Sequence, residues 1–169
     1  MKGTVAALPD HWSSAAPPRR FITTAEPDEP SHPKEGTSVE TGSSKRQRIL
    51  IVEDEALAAL AARDLLHAAG YEVVGIAATA EKAVRKAEET RPDLVLMDIR
   101  LAGSSDGIAA AIDIRTRLDL PSLFVSAYSD PGVKTRAAAA HPAGFLAKPY
   151  RPEELLGAIR KALWSQKTS

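Results

Sequence analysis

Hydrophobic and polar positions follow two alternating patterns from about residue 47 to the end of the chain. Short runs of consecutive apolar residues, typical of strands buried on both faces, recur between longer segments. In those segments apolar residues return every three or four positions, as they do on one side of an amphipathic helix. The pattern predicts strands at 48–52, 71–76, 93–97, 122–126 and 144–147, and helices at 56–69, 80–90, 107–118, 130–140 and 152–164.

Turn-forming and capping residues lie where the pattern changes. Gly70 follows the first helix as a C-terminal stop, and Thr79 precedes the second helix as an N-cap. Pro92 ends the second helix, because a proline disfavours helical backbone in the residue before it. Pro131 and Pro152 open the last two helices, where the missing N–H of proline leaves no hydrogen bond unmade.

Five strand–helix units in succession predict an α/β fold. Such a chain forms a doubly wound parallel sheet with helices on both faces, because each helix must carry the chain back to start the next parallel strand. The crossovers are right-handed, which restricts the topology severely. In sheets of this kind, functional residues collect at the carboxyl ends of the strands.

Residues 1–46 show none of this periodicity. Half of the chain's 12 prolines lie here, among many serine, threonine, glutamate and glycine residues. Such a segment buries too little apolar surface to offset the entropy lost on ordering. The composition therefore predicts a disordered N-terminal tail and a folded domain at 47–166. A short docking motif around Trp12 or Phe21-Ile22 is the alternative function for the tail.

Composition narrows the classes of function. Of the 169 residues, 44% are hydrophobic and 26% charged, and the 22 basic and 22 acidic residues balance, which argues against nucleic-acid binding as the main function. The absence of cysteine excludes disulfides, thiolate catalysis and cysteine-ligated zinc. No apolar run approaches the roughly 20 residues of a membrane span, and no signal peptide is evident. We therefore expect a cytoplasmic protein without a membrane partner.

Reactive side chains stand at the ends of four predicted strands. Glu53 and Asp54 follow the first strand, Asp98 follows the third, Ser126 ends the fourth, and Lys148 follows the fifth. Because the carboxyl ends of parallel strands meet at one edge of the sheet, we expect these side chains to share one cleft. Each residue alone has a structural explanation, and their combination favours a functional one.

Phosphate chemistry explains the combination. Three carboxylates held together repel one another, and a bound cation removes that conflict. All-oxygen ligands suit Mg²⁺, with Mn²⁺ as a substitute. Asp98 is a candidate nucleophile, since an aspartate can form an acyl phosphate. Lys148 would supply positive charge, and the Ser126 hydroxyl a hydrogen bond, to the phosphoryl oxygens.

This set of motifs resembles the receiver domain of bacterial two-component response regulators, of the single-domain, chemotaxis-regulator-like type. The resemblance covers 47–166 and rests on five motifs in the family's order and spacing. It implies a flavodoxin-like (βα)5 fold with the strand order 2-1-3-4-5. The matching stretches are Ile51-Val52-Glu53-Asp54-Glu55, Leu94-Val95-Leu96-Met97-Asp98-Ile99, Asp106-Gly107, Phe124-Val125-Ser126-Ala127 and Ala147-Lys148-Pro149.

The resemblance implies a phosphorelay function. A sensor histidine kinase or a histidine phosphotransfer protein would donate a phosphoryl group to Asp98. Asp54, Asp98 and the backbone carbonyl of Arg100 would hold Mg²⁺, and Glu53 would act mostly through water. The chain would be a phosphoacceptor with self-catalysed phosphoryl transfer and dephosphorylation, and not an enzyme acting on other substrates.

The resemblance also implies a conformational switch. Ser126 would move toward the phosphoryl oxygens, and Phe145 would rotate between outward and inward positions, although a fixed core aromatic is an equal alternative for Phe145. An unknown downstream protein would bind the altered surface of the fourth helix, fifth strand and fifth helix. The chain leaves no room for an output domain after Trp164, which predicts a stand-alone regulator. A homodimer through the last helices is a further expectation.

The loop after Asp98 departs from the family's common pattern, because many receivers have a proline at or near Ala102 and because the extra residues Gly103-Ser104-Ser105 predict a more mobile loop. Arg100 lies two residues after Asp98, and Tyr128 lies two residues after Ser126. Either side chain could cover the phosphoryl group, so we expect them to alter the lifetime of the aspartyl phosphate.

Three alternatives compete with the phosphorelay function. A phosphatase of the haloacid dehalogenase type would need a second aspartate at position 100, where this chain has an arginine. A nucleotide-binding protein would need a glycine-rich loop after the first strand, where the acidic Glu53-Asp54-Glu55 stands. The serious alternative is a receiver-like binding module that signals by protein contact without phosphorylation.

Overall fold

The structure, a computed structural model, describes residues 45–101, 106–127 and 131–166. Five strands and five helices alternate along this part of the chain, as the hydrophobic pattern predicts. The predicted tail of 1–46 lies outside the described residues, apart from its last two. The elements are β1 (Arg48–Val52), α1 (Ala56–Ala68), β2 (Glu72–Ala77), α2 (Ala80–Thr90), β3 (Leu94–Met97), α3 (Gly107–Leu118), β4 (Ser122–Ser126), α4 (Pro131–Ala137), β5 (Gly144–Ala147) and α5 (Pro152–Gln166).

The boundary between α1 and β2 differs from the prediction by one residue. Tyr71 lies in the turn between the helix and the strand, where its N–H donates to the Leu66 carbonyl at 3.0 Å. Gly70 makes this turn with a φ of 87°, a left-handed backbone conformation that glycine adopts without strain. The strand therefore begins at Glu72.

Helix α4 is shorter than predicted. It ends at Ala137, and the alanines of 138–140 continue as a single 3₁₀ turn. His141 closes that turn in the left-handed region, with a φ of 45° and its N–H bonded to the Ala138 carbonyl at 3.0 Å. The alanine-rich sequence predicts helix but carries no signal that separates α-helical from 3₁₀ hydrogen bonding.

The five strands form one parallel sheet in the order β2-β1-β3-β4-β5, which confirms the predicted α/β fold and strand order. The central strands β1, β3 and β4 are almost entirely buried. This burial explains their continuous apolar sequences, since helices cover both faces of a doubly wound sheet. The order places the carboxyl ends of β1, β3, β4 and β5 side by side.

The sheet divides the apolar core into two layers. Successive strand residues face opposite sides, so Leu50 packs in one layer and Ile51 in the other. The α2–α4 layer contains Ile114 and Phe124, and the α1–α5 layer contains Leu66. Complete burial of an aliphatic side chain stabilises the fold by about 1.5–3 kcal/mol, so each layer contributes substantially.

Side-chain caps fix the starts of two helices. The Thr79 hydroxyl accepts the Lys82 N–H at 3.3 Å at α2, as the sequence predicts, and the Asp106 carboxylate accepts the Ile108 N–H at 2.9 Å at α3. Both caps satisfy N–H groups that have no partner within the helix. Among the described helices, none is both long and apolar enough to cross a membrane.

Candidate functional site

The fold brings the predicted site residues to one edge of the sheet. Glu53 and Asp54 directly follow β1, Asp98 follows β3, Ser126 ends β4 and Lys148 follows β5. These strands are neighbours in the sheet. The strand order alone therefore brings together residues that are far apart along the chain.

Lys148 holds two carboxylates together at the centre of the site. Its ammonium nitrogen lies 2.5 Å from Glu53 Oε2 and 2.6 Å from Asp98 Oδ2. The side chains of Glu53 and Asp98 are each 11% exposed, and that of Lys148 is 23% exposed. Charge-assisted hydrogen bonds of this length gain strength where water is partly excluded. The cluster therefore ties the ends of β1, β3 and β5 together.

Burial and charge shift the pKa values of this cluster in identifiable directions. Burial raises the pKa of Glu53, the charge of Asp98 adds to this effect, and the hydrogen bond from Lys148 opposes it. Burial lowers the pKa of Lys148, but the hydrogen bonds and charges of Asp98 and Glu53 together outweigh it and leave that pKa raised. Lys148 is thus a firmly held cation at neutral pH.

Three carboxylates at the site can face a common point. Glu53, Asp54 and Asp98 each offer an oxygen, and these oxygens lie within 4.8 Å of one another. Asp54 is exposed, whereas the other two are mostly buried. An all-oxygen set with one solvent-facing member fits Mg²⁺, which binds through a few carboxylates and keeps several waters.

The backbone around Asp98 is anchored on both sides. Its N–H donates to the Val52 carbonyl at 2.9 Å, and one carboxylate oxygen, Oδ1, accepts the Arg100 N–H at 3.0 Å. Gly107 packs directly against this segment, because a Cβ atom at Gly107 would lie 1.9 Å from the Asp98 carbonyl oxygen. The glycine of the Asp106-Gly107 motif is therefore required for this close approach.

Ser126 and Phe145 occupy the adjoining strands β4 and β5. Ser126 is buried, and its carbonyl accepts the Lys148 N–H at 3.0 Å, which fixes the lysine backbone beside β4. Phe145 is 40% exposed and stacks on the buried Phe124 ring with a centroid separation of 5.4 Å. The Phe145 ring is thus neither fully inside the core nor free of it. Its predicted rotation stays a prediction.

Tyr150 also contributes to the site, a role that the sequence does not reveal. Burial raises the pKa of Tyr150, the charge of Lys148 opposes this effect, and the charges of Glu53 and Asp98 add to it. Its side chain lines both a cavity of about 20 Å³ beneath Asp98 and an open groove beside Lys148. Tyr150 therefore borders both spaces that adjoin the cluster. Its position two residues after Lys148 was the available signal.

The departing loop at 102–105 lies outside the described residues, and the two side chains expected to cover the phosphoryl group are placed differently. The Arg100 side chain is exposed, next to the site. Tyr128 lies outside the described residues, so its predicted cover of the site stays a prediction. The backbone carbonyl of Arg100 likewise stays a predicted metal ligand.

The chain is similar to known proteins over most of the residues that the structure describes. Residues 49–160 match the family model described as the response regulator receiver domain. The chain is 35% identical to the transcriptional regulatory protein PdtaR of Mycobacterium tuberculosis over 76% of this chain and 62% of PdtaR. It is 35% identical to the chemotaxis protein CheY of Thermotoga maritima over 68% of this chain and 96% of that protein.

A solved structure gives the same result for the fold. The signal receiver domain of a modulated diguanylate cyclase from Desulfovibrio desulfuricans is 37% identical and superimposes with a TM-score of 0.68. That match covers 73% of this chain and 98% of the solved one. PdtaR is longer than the matched region, since the chain spans less than two thirds of its length.

Proposed function

The chain belongs to the response regulator receiver domain family, and from that premise we propose that it is a phosphorelay protein whose phosphoacceptor is Asp98. The observation that carries the proposal is the Lys148 ammonium, 2.6 Å from an Asp98 carboxylate oxygen that is otherwise largely buried. This arrangement places a fixed positive charge where the negative charge of a transferring phosphoryl group would develop.

The proposed reaction is a single displacement at phosphorus. A carboxylate oxygen of Asp98 forms a bond to phosphorus while the bond from phosphorus to the donor breaks, and the bonding electron pair leaves with the donor. The Lys148 ammonium and the Arg100 N–H lie on the two Asp98 oxygens and hold the carboxylate in one orientation. Water reverses the modification by hydrolysis, so the protein acts as a phosphoacceptor and not as an enzyme with another substrate.

Magnesium is the proposed cofactor, with Mn²⁺ as a substitute. Glu53, Asp54 and Asp98 would hold the ion, together with the backbone carbonyl of Arg100. When bound, such an ion neutralises charge on the phosphoryl oxygens. The protein supplies the other contributions. The Lys148 charge offsets the repulsion between the buried carboxylates, and the exposed Asp54 leaves the site open to solvent.

Phosphorylation would then change the surface on the β4–β5 side. A phosphoryl group adds close to two negative charges and several strong acceptors beside Ser126. We propose that the Ser126 hydroxyl moves to meet them and that Phe145 exchanges its half-exposed position for a buried one. The stacking of Phe145 on Phe124 supports this route, since the ring already touches the core.

The proposed partners are of two kinds. A sensor histidine kinase or a histidine phosphotransfer protein would donate the phosphoryl group, as the receiver family implies. A downstream protein would bind the surface of α4, β5 and α5, which in this proposal also offers a route to a homodimer. The longer PdtaR is a transcriptional regulatory protein by name, and activities of that kind are not assigned to this chain by its receiver domain.

Intact mass measurement after incubation with acetyl phosphate and Mg²⁺ tests the proposal. We expect a mass gain of one phosphoryl group in the wild type and none in Asp98→Asn. Asp113→Asn is the matched control, because it removes an aspartate on α3 away from the site and should keep the adduct. If the wild type takes up no phosphoryl group, a binding module that acts without phosphorylation becomes the better function.

A further inference from the structure

Asp106 occupies a junction between the phosphoacceptor segment and two helices. One carboxylate oxygen caps α3 by accepting the Ile108 N–H. The other oxygen accepts a hydrogen bond from the guanidinium of Arg136, which lies on α4. Asp106 is therefore hydrogen-bonded both to the first turn of α3 and to Arg136 of α4.

The backbone of Asp106 continues the connection toward Asp98. Arg100 and Asp106 pair as an antiparallel β-bridge, and the neighbouring Gly107 N–H donates to the Ile99 carbonyl at 3.0 Å. Arg100 in turn donates its N–H to Asp98 Oδ1 at 3.0 Å. An unbroken series of contacts thus leads from a reacting carboxylate to a side chain on α4.

Close packing makes this series stiff at the end nearest Asp98. The backbone of Gly107 approaches the Asp98 carbonyl so closely that no side chain fits between them. A displacement of Asp98 and Ile99 therefore meets Gly107 directly, because well-packed interiors transmit strain. At the other end, the pair between Arg136 and Asp106 is more exposed.

We propose that Arg136 and Asp106 form a coupling pair that transmits the phosphorylation state of Asp98 to α4 through the backbone of Arg100. The inference rests on the proposed function, since it requires that Asp98 accept a phosphoryl group. Phosphorylation converts the carboxylate that holds the Arg100 N–H into an acyl phosphate with new acceptors nearby. The Arg100 segment follows those acceptors, the bridge carries Asp106 with it, and Arg136 passes the shift to α4.

This route is separate from the one through Ser126 and Phe145. It leaves the site from β3 and reaches α4 through the amino end of α3, whereas Ser126 and Phe145 lie on β4 and β5. Arg136 is a positioning residue in this scheme, because it touches Asp106 and not the reacting atoms.

Hydrogen exchange of the α4 amides with and without acetyl phosphate and Mg²⁺ tests the coupling. In the wild type we expect phosphorylation to change α4 exchange, and in Arg136→Ala we expect that change to shrink about two- to fivefold, the range that an ion pair of this exposure can supply. Arg136→Lys keeps the charge and should restore part of the response. Lys134→Ala is the matched control on the same helix and should behave as the wild type.

Asp106→Asn is a second variant that protects the test from a folding defect. Asparagine still caps α3 but loses the charge that Arg136 binds, so it should reproduce the effect of Arg136→Ala. An α4 response of wild-type size in both variants, with the phosphoryl adduct present, overturns the coupling pair. An α4 that does not respond in the phosphorylated wild type overturns it too. Absence of the adduct in the wild type instead overturns the proposed function.

Discussion

Lys148 and Arg117 each stand at the centre of a cluster of one cation and two carboxylates. In the first, Lys148 contacts Glu53 and Asp98 at the carboxyl edge of the sheet. In the second, Arg117 of α3 contacts Asp113 on its own helix and Glu88 on α2. The pattern of charges alone therefore does not distinguish a site from a surface.

Burial separates the two clusters. The side chains of Lys148, Glu53 and Asp98 are between 11% and 23% exposed, whereas those of Arg117, Glu88 and Asp113 are between 38% and 50% exposed. Exposed pairs of this kind contribute about 0–1 kcal/mol, because water and salt screen them. A buried cluster raises the free energy of the fold unless every charge is matched. The first cluster has two negative charges and only one positive charge in a mostly buried position, which is unfavourable for stability. This favours a functional explanation for the cluster.

Removing the buried cation should produce the largest effect. In Lys148→Met two mostly buried carboxylates lose their partner, and we expect a loss of stability of about 3 kcal/mol. We also expect phosphoryl uptake from acetyl phosphate to fall about 100-fold, since a fixed charge at the transferring group is lost. Urea unfolding and time-resolved intact mass measure the two effects. Unchanged uptake would show that Lys148 is structural only.

Stabilisation by Mg²⁺ should be the second largest difference between the two clusters. An ion that binds only the folded state at 100 times its dissociation constant stabilises that state by about 2.7 kcal/mol. We expect Mg²⁺ to raise the unfolding temperature of the wild type and to do so less in Asp54→Asn, which removes the exposed ligand. Asp113→Asn, in the exposed cluster, should respond as the wild type does. Equal responses in both variants would contradict the proposed ion site.

Alkaline pH should weaken only the buried cluster. The raised pKa of Lys148 means that its stabilising contribution is complete below its ordinary value of 10.5 and is lost as pH rises through the higher value in the folded protein. Arg117 stays charged in this range. We expect the stability of the wild type to fall above pH 10.5 more steeply than that of Lys148→Met. Parallel pH profiles would show that the cluster adds no stability.

Removing the exposed cation should have the smallest effect of the four. We expect Arg117→Ala to lower stability by no more than about 1 kcal/mol, since its partners return to water. Phosphoryl uptake should be unchanged, because α2 and α3 are joined here away from Asp98. A loss comparable to that of Lys148→Met would contradict the distinction by burial.

Most of the fold could be predicted from the sequence because local patterns determine it. Continuous apolar runs such as 49–52 mark strands covered on both faces, and turn residues such as Gly70 mark their limits. The errors fall where hydrogen bonding decides the boundary: the Tyr71 N–H bonds back to Leu66 of α1, and 138–140 forms a 3₁₀ turn. Neither detail changes the hydrophobic pattern.

The site could be predicted only in part, for a different reason. Parallel topology brings Asp54, Asp98 and Lys148 together whatever their rotamers, so their proximity follows from their places at strand ends. Direct contact of Glu53 with Lys148 and the pair between Arg136 and Asp106 depend on side-chain geometry across long sequence separations. No local pattern specifies such contacts, and the half-exposed position of Phe145 belongs to the same class.

Because the sheet divides the core, substitutions in one layer should not affect the packing of the other layer. Ile114 and Ile159 belong to different layers and are separated by a full thickness of backbone. A cavity left by an Ile→Val substitution in one layer does not reach the other layer. The losses of stability from the two substitutions should therefore be additive to within about 0.5 kcal/mol. The two core layers are thus energetically independent, although both pack on the same sheet.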